Sequence, residues 1–281
     1  MPRRVPYLTE DFIERDAAAL IAEYERARGV TLAPPIPVED IVEKHLKLGI
    51  EFDDMHARHG VPRPPSGETD ILGAIYGDGS IFIDESLDPE NNPSKEGRYR
   101  FTLAHEGGGH WRLHKHLVVE DAAQSSLFGE AREPSFICRS SQAKEREEWQ
   151  ADFYASCLLM PRPMIYAAWE DFAGSRRPRA INGDNRVALF ADIDAEPVPT
   201  KLTYSTHNRP TSDSSEITIP LHDLGRAQDV LRASTVDDAL ARFCRPLAER
   251  FAVSPIAMRI RLEKLGLLLR AVPHQQLLMT R

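Results

Sequence analysis

The sequence predicts an α+β fold, mainly helical with a small β-sheet, and three observations predict it. Apolar residues recur at helical spacing over 9–28, 144–160 and 236–265. Short strand-like runs occur at Ile50 to Phe52, Leu72 to Tyr76 and Ser80 to Asp84, the last two joined by Gly77-Asp78-Gly79 as a hairpin turn. Gly, Pro, Ser, Thr and Asn crowd residues 171–234, which sets that stretch apart. The expected organisation is a core over 1–170, an inserted, partly β segment of unassigned role over 171–235, and a C-terminal helical segment over 236–281.

Each element has a local reason. Thr9 is the expected N-cap of the first helix, Phe12, Ala19, Leu20 and Tyr24 its apolar face, and Gly29 its stop. A Pro-rich link from Leu32 to Pro37 leads to a second helix over Val38 to Leu46. Residues 60–68 hold three Pro and two Gly and predict a surface loop. Helix resumes near Glu96, and another runs from about Lys144 to Met160, stopped by Pro161 and Pro163. Inside the insertion, Val187 to Ile193, Lys201 to Tyr204 and Glu216 to Ile219 read as possible strands. The C-terminal pair is Val236 to Phe251 and Ile256 to Leu265, turning at Val253-Ser254-Pro255 and ending at Gly266.

Composition bounds the function. The formal net charge of −8 argues against general nucleic-acid binding. The three cysteines, Cys138, Cys157 and Cys244, have no metal-site spacing and form no disulfide framework, which fits a reducing cytoplasm. No apolar run of membrane-spanning length occurs, and the N-terminus lacks a signal-peptide pattern, so a cytoplasmic location is expected.

The most informative stretch is His105-Glu106-Gly107-Gly108-Gly109-His110. A zinc helix of the H-E-x-x-H type sets two imidazoles four residues apart, with the Glu as general base. Here they are five apart. On a regular α-helix that places them about 140° from one another, too far round to share an ion. Three routes out exist. A π-bulge at the glycines would return both histidines to one face. The helix could unwind there. Or the helix stays regular and Glu106, His110 and His114 become an alternative ligand set at i, i+4, i+8, which would consume the base.

Further on, Glu148 and Asp152 share a helical face at i, i+4. An acidic third ligand on a second helix, with a carboxylate one turn on that holds a ligand histidine, is a recurring zinc-site arrangement. Either helix alone reads as a solvated polar face, and together they read as a metal site.

With both helices in view, the chain resembles the ImmA/IrrE family of metallo-endopeptidases. The resemblance lies in Ile81 to Asp84, Arg98 to Glu106, Gly109 to His114, Glu148 to Pro161, and Leu247 to Pro255 with Met258 to Gly266. It covers roughly residues 35–170 and 240–268. It implies a zincin-like metallopeptidase domain, with His105, His110 and Glu148 as zinc ligands, Glu106 as general base and Asp152 behind the ligands. It also implies a protein substrate, a helix-turn-helix repressor in a stress or mobile-element response. The chain departs from the pattern by one extra glycine and by the 171–234 segment, where His207 and Tyr204 are candidate oxyanion donors by location alone. Two other readings remain open: a catalytically impaired relative that acts by binding, and a DNA-binding regulator. The second would use the C-terminal helices, where Arg250, Arg259, Arg261 and Lys264 surround the turn.

Overall fold

The computed structural model describes residues 5–65, 70–119, 134–139, 145–180 and 235–270. The architecture is α+β. Helix α1, Glu10–Arg28, begins where Thr9 Oγ1 accepts a hydrogen bond from the Phe12 amide and ends at Gly29 in the left-handed region, φ 66°. Its buried face is Ile13, Ala17, Leu20, Ile21 and Tyr24. Phe12, expected on that face, is exposed, because the buried stripe runs one residue out of phase with it. Helix α2 opens as one α-turn, Val38–Asp40, and widens into a π-turn, Ile41–His45.

Four strands form one sheet in the order β1-β3-β2-β4, where β1 is Gly49–Asp53, β2 Ile71–Ile75, β3 Ser80–Asp84 and β4 Phe136–Arg139. β2 and β3 pair antiparallel, Ile75 opposite Ile81, and the turn between them closes through Gly79 at φ 87°. β1 runs parallel to β3 and is followed by the single turn of α3, Met55–Arg58. β4, which the sequence reading missed, lies antiparallel on the outer edge of β2.

Helix α4, Glu96–Ala104, continues without a break into a nine-residue π-helix, His105–Leu113. This π-segment packs against β2 on one side and against helix α5, Arg146–Leu159, on another. Arg112 fastens it to α1 with 2.7 Å and 2.8 Å ion pairs to Asp16 and Glu23. Tyr154 of α5 donates to the same Asp16 at 3.1 Å. These partly exposed ion pairs and the Tyr154 hydrogen bond tie α1, the π-segment and α5 to one another.

Helix α6, Arg162–Ala173, follows at once. The proline pair was expected only to end a helix, but Pro163 sits in the first turn of the next, where a missing amide costs no helical hydrogen bond. The chain divides into two compact units, Met1–Ala168 with Glu249–Ser254, and Trp169–Ala248 with Pro255–Arg281. In the second, β5, Arg179–Ala180, pairs parallel with β6, Leu268–Leu269. Helices α7, Val236–Phe251, and α8, Pro255–Lys264, match the expected C-terminal pair, with Gly266 at φ 69° ending it. The strands expected at Val187 to Ile193, Lys201 to Tyr204 and Glu216 to Ile219 lie outside the described residues, as do His207 and Tyr204. Among the described residues no helix is long and apolar enough to cross a membrane.

Candidate metal centre

The π-segment resolves the spacing problem. A π-turn closes i→i+5, so residues five apart stack on one face as residues four apart do in an α-helix. His105 and His110 therefore project together, and both are buried. Of the three routes open from the sequence, the chain takes the first and extends it from a single bulge to nine residues. The helix tightens again at its end, where the His114 amide returns to the His110 carbonyl.

The three glycines have a second reason to be there. A Cβ on Gly109 would lie 2.6 Å from both Cα and Cβ of Ala151. One on Gly108 would lie 2.6 Å from Cε1 of Tyr154, and one on Gly107 2.7 Å from a methyl of Val42. The widened turn thus lies against α5 and α2 more closely than any side chain allows.

Three donors converge. His105 Nε2 and His110 Nε2 are 3.0 Å apart, and each is 3.3 Å from a carboxylate oxygen of Glu148. Zinc bonds of about 2.0–2.1 Å in tetrahedral directions span ligand pairs by roughly 3.3 Å. The triangle of two imidazoles and a carboxylate fits such an ion in both size and donor chemistry. His105, His110 and Glu148 are a possible metal-holding group.

Outside the triangle the ligands are held. Asp152 Oδ1 is 2.9 Å from His105 Nδ1, which turns the other nitrogen inward. His110 stacks on Phe136, ring centroids 4.0 Å apart and 10° from parallel. Its Nδ1 lies 3.3 Å from Nδ1 of His114, whose Nε2 is 2.8 Å from Oε1 of Gln150. The alternative ligand set of Glu106, His110 and His114 is therefore not formed: His110 turns its outer nitrogen to His114, and the remaining nitrogen of His114 is engaged with Gln150.

Glu106 is fully buried, and neither carboxylate oxygen has a hydrogen-bond partner among the described residues. Burial pushes its pKa up to about 8, with His105 opposing and the Glu148 charge reinforcing the shift. Burial likewise drives His110 down to about 3 and lowers His114. Burial raises Glu148, but hydrogen bonds from His105 and His110 outweigh it and hold this carboxyl well below its ordinary range. For His105 the balance goes the other way: burial lowers its pKa, and Cys138, Asp152 and Glu148 together raise it well above the usual value.

Four residues near the site escaped the sequence reading. Cys138 of β4 is buried and groups with His105 and Glu106, and burial raises its thiol pKa. Gly73 lies in register with it on β2, and a Cβ there would meet Thr102 at 2.9 Å and Glu106 Oε1 at 3.6 Å. A glycine inside a strand is a sign of such close approach, and the signal was present in the sequence. Phe136 and Gln150 carry no motif and were found only by contact.

No model of a known family matches this chain, and no curated protein matches it either.

Proposed function

We propose that this chain is a zinc-dependent metallo-endopeptidase of the ImmA/IrrE type, built on a zincin-like core. The observation that carries the reading is the donor triangle of 3.0, 3.3 and 3.3 Å, with an unpartnered buried carboxylate on the next residue of the chain. His105, His110 and Glu148 would hold the ion. Bound zinc supplies a Lewis acid that polarises a carbonyl and makes water acidic near neutral pH. Glu106 takes the proton from the attacking water and delivers it to the leaving amine. Its raised pKa suits that double duty, since positive charge across the triangle draws it back toward the carboxylate form. Asp152 holds His105 in orientation throughout.

The reading by binding alone drew its support from the five-residue spacing, and the π-turn removes that support. The DNA-binding reading is weakened too. Arg261 is buried, and Arg259 is ion-paired with Asp237 at 2.5 Å, so these two do not offer their charge to phosphate. The peptide substrate, a helix-turn-helix repressor, is proposed from the family resemblance alone.

Elemental analysis should find about one zinc per chain; none after reconstitution would overturn the metal reading. Glu106→Gln should keep the metal and abolish cleavage of a peptide library. Retained cleavage would remove Glu106 as the base.

A further inference from the structure

A chain of hydrogen bonds leaves the site through residues the proposed mechanism does not use. Gln150 Nε2 lies 2.9 Å from the Pro6 carbonyl, which can only accept. The Gln150 NH2 therefore faces Pro6, and its Oε1 faces His114 Nε2 at 2.8 Å. A carbonyl oxygen there requires His114 Nε2 to carry hydrogen. His114 is fully buried, and a neutral ring protonated at Nε2 leaves Nδ1 as an acceptor. His110 Nδ1, 3.3 Å away, must then donate. That leaves the lone pair of His110 on Nε2, the atom pointing at His105 and Glu148.

We propose that His114 and Gln150 are positioning residues, a relay from the Pro6 carbonyl that holds His110 in the tautomer a metal ligand needs. The proposal rests on the metal reading above and deepens it. Asp152 performs the same task for His105 with a single carboxylate. His110 stacks on Phe136, so its face is apolar, and Nδ1 has only His114 among the described residues to orient it. The arrangement also gives a use to His114, which the sequence offered only as a substitute ligand. Because the ligand tautomer is preset, the metal meets a nitrogen lone pair and not an N–H. Carboxylates or carbonyls behind ligand histidines commonly change metal affinity by about 10- to 100-fold.

The test has two arms. In metal-free, 15N-labelled protein, two-bond 1H–15N correlations should show His110 protonated at Nδ1 and His114 at Nε2. A His110 protonated at Nε2, or a doubly protonated His114, would overturn the relay without any variant being made. In the second arm Co2+ is titrated and its visible spectrum followed. His114→Phe should weaken Co2+ by about 10- to 100-fold, and His114→Asn, which restores a carbonyl acceptor, should recover most of that loss. Wild-type affinity in folded His114→Phe would overturn the relay. If wild-type protein binds no Co2+ while the tautomers are as stated, the metal reading falls and the relay stands as a hydrogen-bond network.

Discussion

Replacing Gly109 with alanine tests why the widened turn needs glycine. The new methyl would sit 2.6 Å from Cα and Cβ of Ala151 and 3.1 Å from its carbonyl oxygen. Carbon atoms rest at about 3.5–4.0 Å, so the π-segment and α5 must separate by about 1 Å. Two of the three atoms are backbone and cannot rotate away. Overpacking of this kind costs about 1–3 kcal/mol, against a gain of at most about 1 kcal/mol from alanine's better helix propensity. The net loss should lower the melting temperature by several degrees. The larger effect falls on the site. Glu148 stands one turn before Ala151 on α5, and its oxygens close two 3.3 Å edges of the donor triangle. Widening those edges by about 1 Å takes them beyond the roughly 3.3 Å that tetrahedral zinc spans. Zinc affinity, measured against a chromophoric chelator, should fall by about 10- to 100-fold. Gly107→Ala is the control: its methyl meets Val42 side-chain atoms, which can shift, and both effects should be smaller. Native melting temperature and native zinc affinity in Gly109→Ala would refute the packing argument.

Three further outcomes follow. Deleting Gly108 should lower metal affinity: sequence spacing alone expects a gain from restoring i, i+4, but the π-turn already aligns the histidines, and the shortened segment misplaces Arg112 relative to Asp16 and Glu23. Chelator competition decides between gain and loss. Asp152→Ala should weaken metal by about 10- to 100-fold with little change in the circular dichroism spectrum, since it loosens His105 without opening the core. In metal-free protein, Glu106 keeps its proton up to about pH 8 when folded but loses it near its ordinary 4.5 when unfolded. Stability from this group is therefore present at low pH and lost as pH rises between those values. Glu106→Gln should melt on the order of 10 °C above wild type at pH 8 and converge with it near pH 5; a constant difference would contradict the raised pKa.

Where a segment's neighbours in sequence decide its structure, the sequence was readable. Thr9 and Gly29 bracket α1 by capping, and the Gly77-Asp78-Gly79 turn pairs β2 with β3. Glu148 and Asp152 share a face because α5 is a regular helix, so their common direction followed from spacing. Strand β4 was hidden because four residues give little periodicity, and its pairing with β2 is made across a long stretch of sequence. Helix α6 was hidden because a proline reads as a stop before it reads as a start. Gln150 was invisible for another reason: its role depends on Pro6, which comes near only through folding. The path of the glycine run was undecided for the same reason, since three backbone routes satisfied the local chemistry and tertiary packing selected one.

The extra residue and the glycine run are two sides of one requirement. On a continuous helix, five-residue spacing needs a π-turn if both imidazoles are to meet one ion, and a π-turn makes the helix wider. The wider helix is enclosed by α2 and α5, with Val42 against Gly107, and Tyr154 and Ala151 against Gly108 and Gly109. A side chain at any of these positions would meet a neighbour at under 3 Å. Were the spacing a damaged form of a four-residue motif, one glycine of the three would be expected to loop into open space, with no wall against it. None does. The same segment carries Arg112 into its pairs with Asp16 and Glu23. The spacing and the packing therefore fit each other, as a five-residue turn closed against α2 and α5.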